Sequence, residues 1–214
     1  MAIVDADEKG LRTAVEAIKR GHIVAYPTET FYGLGVDPYN EDALKDLSEL
    51  KGWKEIRPVS ILIDSIVRLD AVARDVTPIA RVLIDGFWPG SLTLIFKAHP
   101  SLPFILSGNT GKIGVRLSSN PIAIELLNSI NAPLTTTSAN PAGEKSTVTA
   151  EEVAGYFGQK VPIVLQGGGL KGVRGSTILD LTGDEIAVIR EGDIPIENIW
   201  RCLQDSYSSP SPII

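Results

Sequence analysis

The 214-residue chain has one cysteine, Cys202, and two histidines, His22 and His99. A single thiol excludes an internal disulfide framework and any multi-cysteine metal site. Two isolated histidines supply neither a zinc ligand set nor the base of a Ser-His-Asp triad. No apolar run approaches the roughly 18 residues that a membrane-spanning helix needs. The N-terminus, Met1-Ala-Ile-Val-Asp-Ala-Asp-Glu-Lys9, has no basic stretch followed by an apolar core, so no secretory leader is expected and the cytoplasm is the expected location. Neither a P-loop sequence nor a G-x-G-x-x-G after a strand is present, so a bound nucleotide would need another device. The formal net charge of -6 argues against wholesale binding to nucleic acid, while leaving room for a local basic cleft.

What is present is a globular composition, 43% hydrophobic and 21% charged, in a chain long enough for one sizeable core. Helical spacing of Leu11, Ala14, Val15 and Ile18 predicts a helix over 7–20 that Gly21 stops. Further helices are predicted at 41–51 after the cap Asn40, around 65–73, at 77–86, at 121–130 after Asn120-Pro121, and at 149–157, where Thr149 and Glu152 form a capping box. A last helix is predicted at 195–203. Strands are predicted at 22–27, 59–63, 91–97, 113–117, 133–137, 161–165, 176–181 and 185–190. Strict strand–helix alternation fails late in the chain, which predicts one α/β domain over 8–203 with a twisted mixed parallel and antiparallel sheet flanked by helices. The Ser/Pro-rich end, 204–214, is expected to be a frayed, disordered tail.

Five segments carry possible chemistry. Tyr26-Pro-Thr-Glu-Thr-Phe-Tyr-Gly-Leu-Gly35 puts four hydroxyls and a carboxylate at a strand end, before glycines that let backbone approach a ligand. The same residues also read as a tight strand-to-helix turn. Lys51-Gly-Trp-Lys-Glu-Ile-Arg-Pro58 is either a cationic phosphate clamp or a basic complement to a helix C-terminus. The hydroxyls of Thr135-Thr-Thr-Ser138, before Asn140, are either mutually satisfied or aimed at a ligand. Arg116, flanked by apolar strand residues, is either paired with an anion or exposed on a solvated face. Gly167–Thr177 would wrap an anion or form a flexible hairpin, and Arg190 ends a strand.

Together these segments resemble the YrdC/Sua5 family, the L-threonylcarbamoyladenylate synthases that begin t6A synthesis on tRNA. The resemblance spans roughly residues 8–195. It rests on Tyr26–Gly35, Lys51-Gly52 followed by Arg57-Pro-Val-Ser-Ile-Leu-Ile63, Trp88-Pro-Gly-Ser-Leu-Thr-Leu94, Gly114-Val-Arg-Leu117, Thr136-Thr-Ser-Ala-Asn140 and Ser176-Thr-Ile-Leu-Asp180. It implies a twisted mixed sheet with an open, positively charged cleft. It also implies formation of threonylcarbamoyl-AMP from L-threonine, bicarbonate and ATP with release of pyrophosphate, Mg²⁺ accompanying the triphosphate.

By motif position, Thr28, Ser60, Arg116, Thr136 and Ser176 would hold L-threonine. Lys51, Glu55, Lys112, Ser138, Asn140, Ser146 and Arg190 would line the ATP site. Lys51 and Arg57 would neutralise charge during catalysis, and no protein-held metal is expected. A downstream threonylcarbamoyl transferase and tRNA are the implied partners, with weak RNA binding as a further implication and no membrane. The alternative is an RNA-binding paralogue that lacks adenylate synthesis. One departure stands out: the family usually has Lys-x-Arg after the second helix, and Trp53 occupies the arginine position. Lys54 or Arg57 would restore the charge, or Trp53 would stack on adenine. At 214 residues the chain resembles the family's short type, without the added C-terminal domain.

Overall fold

In the computed structural model, the residues described are 1–208 apart from Ile56 and Val173. The strands are β1 (Ala2–Asp5), β2 (Val24–Pro27), β3 (Tyr32–Gly35), β4 (Ser60–Leu62), β5 (Ala73–Arg74), β6 (Leu92–Ala98), β7 (Lys112–Arg116), β8 (Leu134–Ser138), β9 (Ile163–Gln166), β10 (Thr177–Asp180) and β11 (Ala187–Arg190). The helices are α1 (Glu8–Lys19), α2 (Glu41–Lys51), α3 (Leu69–Val72), α4 (Pro78–Phe87), α5 (Pro121–Ile130), α6 (Ala150–Phe157) and α7 (Ile196–Ser208). The strands join into one sheet ordered β1-β9-β2-β3-β8-β4-β7-β6-β10-β11, with β5 beside β6.

The mixed sheet expected from the broken strand–helix alternation is what forms. β9 pairs in parallel with β1 and β2, β4 with β7, and β6 with β10. β3, β8 and β4 form an antiparallel centre. Period-two alternation sends neighbouring side chains to opposite faces. Ile61 and Ile63 join the apolar layer of α2, α4, α6 and α7, whereas Leu62 joins that of α1 and α5. Among the described residues no helix is long and apolar enough to cross a membrane.

The helix caps explain why most boundaries fell where the spacing put them. Asp7 accepts from Gly10 N–H at 2.8 Å, Asn40 from Ala43 N–H at 3.0 Å, and Asn120 from Ile122 N–H at 2.9 Å. The Thr149/Glu152 capping box is also present. Each satisfies backbone donors that the first helical turn leaves open.

Some elements were not expected. β1 lies before the anticipated domain start and pairs with β9 along its whole length. The short β5 sits in the region read as helical, and α7 runs through Ser208. Of the tail, residues 209–214 lie outside the described residues.

The larger correction is β3. Residues 32–35 are not a glycine loop or the start of a helix; they pair antiparallel with β2 as a hairpin, Tyr26 opposite Gly33. Glycine weakens a strand unless something must approach it closely. Here that something is Tyr26. A Cβ on Gly35 would stand 2.7 Å from Tyr26 Cε1 and 2.8 Å from Leu134. Gly35 therefore clears space for a buried ring, whose hydroxyl donates to Thr135 O at 2.8 Å, and not for a ligand.

This contact has a measurable consequence. Gly35→Ala is expected to lower unfolding stability by about 1–3 kcal/mol through overpacking. Gly155→Ala, in α6 with open space where its Cβ would go, is expected to raise it by about 0.5–1 kcal/mol through helix propensity. Urea denaturation of the two variants checks both signs; a neutral Gly35→Ala would contradict the packing account.

Candidate active site

The polar ends of the central strands open into one cavity of about 360 Å³. All five residues expected to hold an amino acid, Thr28, Ser60, Arg116, Thr136 and Ser176, line it, as do Ser138, Ser146 and Arg190. These residues come from β4, β7, β8, β11 and three loops, so only the folded sheet assembles them. Register explains part of the convergence: Ser60 faces Thr136 across the β4–β8 pair, and Gly33 faces Ser138 across β3–β8. Gly114 on β7 makes room for Ser60, because a Cβ there would stand 2.5 Å from Ser60 Oγ.

The hydroxyl run 135–138 divides between two jobs. Thr135 is fully buried, accepts Val36 N–H at 2.8 Å and serves the sheet. Thr136, Thr137 and Ser138 line the cavity. Elsewhere on the wall, Thr28 Oγ1 donates to Phe31 O at 2.7 Å and lies 3.0 Å from Thr30 Oγ1. Ser176 Oγ lies 2.8 Å from Thr93 Oγ1. Arg190 Nε and Nη2 donate to Ser176 O at 3.0 and 2.8 Å. Burial, then the charge of Arg116, pulls the Arg190 pKa down from its ordinary value. Two guanidinium groups thus face the same small space.

Arg116 is 5% exposed. Its Nη1 donates to Glu29 Oε1 at 2.9 Å, and its Nε has no hydrogen-bond partner among the described residues. Glu29 also accepts a hydrogen bond from Ser118 Oγ. The open choice for Arg116 resolves as a buried cation with an internal counterion. Glu29, Thr30, Thr93 and Gly175 are participants that motif matching did not single out. The signal for Glu29 was a carboxylate inside an otherwise uncharged polar segment.

Lys51 does not line the cavity. Its ammonium, on a residue only 3% exposed, donates to Ser138 O at 2.6 Å and to Asn140 O. It thereby ties the end of α2 to the turn that follows β8. Asn140 Nδ2 donates to Pro141 O and Glu144 O, while its buried Oδ1 has no partner among the described residues. Lys112 pairs with Asp180 at 2.8 Å, about 13 Å along β7 from Arg116. Glu55 is exposed and outside the cavity.

Arg57 and Trp53 line a different, apolar cavity of about 270 Å³ with Ile105 and Leu106. Trp53 has a structural explanation. Gly52 ends α2 in the left-handed region, its N–H reaching Glu49 O while Trp53 N–H reaches Ser48 O. This is the Schellman arrangement, which places an apolar residue after the glycine against the last helical turns. In the segment 167–175, Gly172 likewise serves packing, since a Cβ there would stand 2.0 Å from Thr30 O, as does Gly167, 2.5 Å from Pro27 Cβ.

Burial lowers the Lys51 pKa to about 8. The unfolded chain then binds more protons than the native one between about pH 8 and the ordinary lysine value, so native stability rises with pH across that window. Relative to Lys51→Met, the wild-type protein is expected to gain on the order of 3 kcal/mol over it. Denaturation of both proteins from pH 7 to 10.5 checks this; a pH-independent difference would mean that the ammonium is not desolvated.

With the site in view, likeness to known proteins bears on it. The Sua5/YciO/YrdC family model, described as telomere recombination, matches residues 16–192. A Mycobacterium tuberculosis (strain H37Rv) relative is 37% identical over 195 residues, covering 91% of this chain and 89% of its own. The threonylcarbamoyl-AMP synthase of Pyrococcus abyssi is 33% identical over 205 residues, covering 96% of this chain, which spans 60% of that longer protein. The solved structure of P. abyssi Sua5 complexed with L-threonine superposes with a TM-score of 0.92 at 30% identity, covering all of this chain and 66% of its own. The match extends over the strands and loops that form the cavity, and the chain belongs to the Sua5/YciO/YrdC family.

Proposed function

We propose that this protein is an L-threonylcarbamoyladenylate synthase, which joins L-threonine, bicarbonate and ATP into threonylcarbamoyl-AMP and releases pyrophosphate for t6A formation on tRNA. The observation that carries the reading is the convergence of Thr28, Ser60, Arg116, Thr136 and Ser176 on one cavity containing a buried guanidinium. A cavity of about 360 Å³ suits an amino acid and is small for a whole nucleoside triphosphate. Relatives bearing the synthase name and a family structure with L-threonine support the same assignment.

In this reading Arg116 receives the threonine carboxylate, and the surrounding hydroxyls orient its amine and side chain. The neutral amine attacks CO₂ with loss of a proton, or bicarbonate with loss of water, to give the carbamate, and a carbamate oxygen then attacks the α-phosphate as pyrophosphate leaves. No covalent enzyme intermediate is required. The chain contributes positioning and charge neutralisation, which suffice for phosphoryl and nucleotidyl transfer. Ser138, Ser146 and Arg190 line the same cavity, and in this reading they meet the α-phosphate and nucleoside, with Asn140 and Lys51 next to Ser138. Glu55, Arg57 and Lys112 lie outside the cavity, so a nucleotide role for them requires ATP to extend well past its mouth.

The donors around the cavity are hydroxyl, amide and cationic groups, a set that favours phosphate oxygens over a bare metal ion. Among the described residues no group of three His, Cys, Asp or Glu is placed to hold a metal. In this reading Mg²⁺ enters with ATP, carried by phosphates and water. The downstream acceptor would be a transferase that consumes the adenylate.

Pyrophosphate release with ATP and bicarbonate is expected only when L-threonine is supplied. Absent or threonine-independent release would overturn the assignment. Arg116→Ala is expected to reduce kcat/KM for threonine by roughly 10²–10³-fold, in the range for removing a buried charged contact. A loss below about fivefold would place the carboxylate elsewhere.

A further inference from the structure

Between Thr28 and Thr30, both on the cavity wall, Glu29 does not line the cavity. The turn that carries it is held by Thr28, whose Oγ1 accepts Thr30 N–H at 3.2 Å and donates to Phe31 O. One carboxylate oxygen accepts from Arg116 Nη1 and the other from Ser118 Oγ. Ser118 Oγ in turn accepts Asn120 N–H at 3.2 Å, at the cap of α5. Glu29 is thereby fixed from two sides, and it fixes Arg116.

Two consequences follow from that geometry. With Nη1 engaged, the guanidinium retains its Nε–Nη2 edge, a fork that matches a single carboxylate. The local charge is also balanced. Arg116 and Arg190 line the cavity, Glu29 meets the first, and Asp193 is close enough to feel Glu29, Arg116 and the exposed Arg174. Without Glu29 the cavity would carry one further positive charge and a guanidinium free to turn.

We propose that Glu29 is a positioning and selectivity residue: it presents one edge of Arg116 to one carboxylate and sets the charge so that a zwitterionic amino acid is preferred over one bearing a second carboxylate. This rests on the threonine-binding reading above. Charged groups discriminate by what they repel as much as by what they attract. Glu29, a partly buried carboxylate paired with Arg116, disfavours a second negative charge there.

The test is calorimetric binding of L-threonine and L-aspartate to the wild-type protein, Glu29→Gln, Glu29→Asp and Ser118→Ala, together with the threonine kinetics of each. Glu29→Gln is expected to raise the threonine KM roughly tenfold with kcat within about threefold, and to shift the aspartate-to-threonine Kd ratio roughly tenfold towards aspartate. Glu29→Asp keeps the charge and is expected to keep the wild-type ratio. Ser118→Ala keeps the charge but frees one carboxylate oxygen, so threonine KM should rise with the ratio unmoved, a readout that remains should Glu29→Gln fail to fold. An unchanged ratio in Glu29→Gln, with threonine still bound by the wild type, would overturn the role of Glu29 alone. A wild-type protein that binds no threonine would overturn the assigned function and this inference together.

Discussion

The buried ion pair of Arg116 and Glu29 is the interaction on which the rest of the site depends. A guanidinium at the end of a central strand loses its hydration, and removing the partner of such a charge typically costs about 3–5 kcal/mol. The pair helps to fix the 28–31 turn, which brings the Glu29 carboxylate to the end of β7. Ser118 and the cap of α5 are drawn into the same network. With these anchored, Thr28 and Thr30 have fixed places on the cavity wall.

The antiparallel centre of the sheet makes the second contribution. β8 lies between β3 and β4, and its side chains divide between the framework, at Thr135, and the cavity, from Thr136 to Ser138. Thr135 serves the sheet, and Thr136 lines the cavity opposite Ser60. An unsatisfied buried hydroxyl costs about 1–3 kcal/mol, so a run of four is tolerable only because part is bonded internally and part opens onto a ligand space. Of the two readings of that run in the sequence, internal satisfaction holds for Thr135, while Thr136, Thr137 and Ser138 line the cavity. Lys51 then ties the turn after β8 to α2, so two helix-flanked loops are fastened to one strand end.

How much was legible follows from how local the cause is. Asn40, Asn120 and Thr149 cap their helices through backbone groups two or three residues away, and the boundaries of α2, α5 and α6 could be read from neighbours alone. β3 was hidden because Gly33 and Gly35 have poor strand propensity, and their use depends on a ring from β2 lying over them. β1 was hidden because four residues at the chain's beginning acquire meaning only beside β9, about 160 positions away. Trp53 depends on its surroundings in a related way: its place in the motif raised adenine stacking, and the Schellman cap of α2 sets its side chain against the core.

The amino-acid sequence by itself determined the helices, most strands, the mixed character of the sheet, and the five hydroxyl and guanidinium residues that share the cavity. The elements follow from short-range periodicity and capping chemistry; the five residues follow from the motifs that carry the family resemblance. The tertiary structure alone decided that Glu29 is the counterion of Arg116, that Lys51 is held by the carbonyls of Ser138 and Asn140, and that Arg57 and Lys112 stand outside the cavity. Each of those outcomes depends on which groups distant in sequence come within about 3 Å, the range in which desolvated charges and hydrogen bonds select partners. Sequence order does not set those distances; the packing of the strands does.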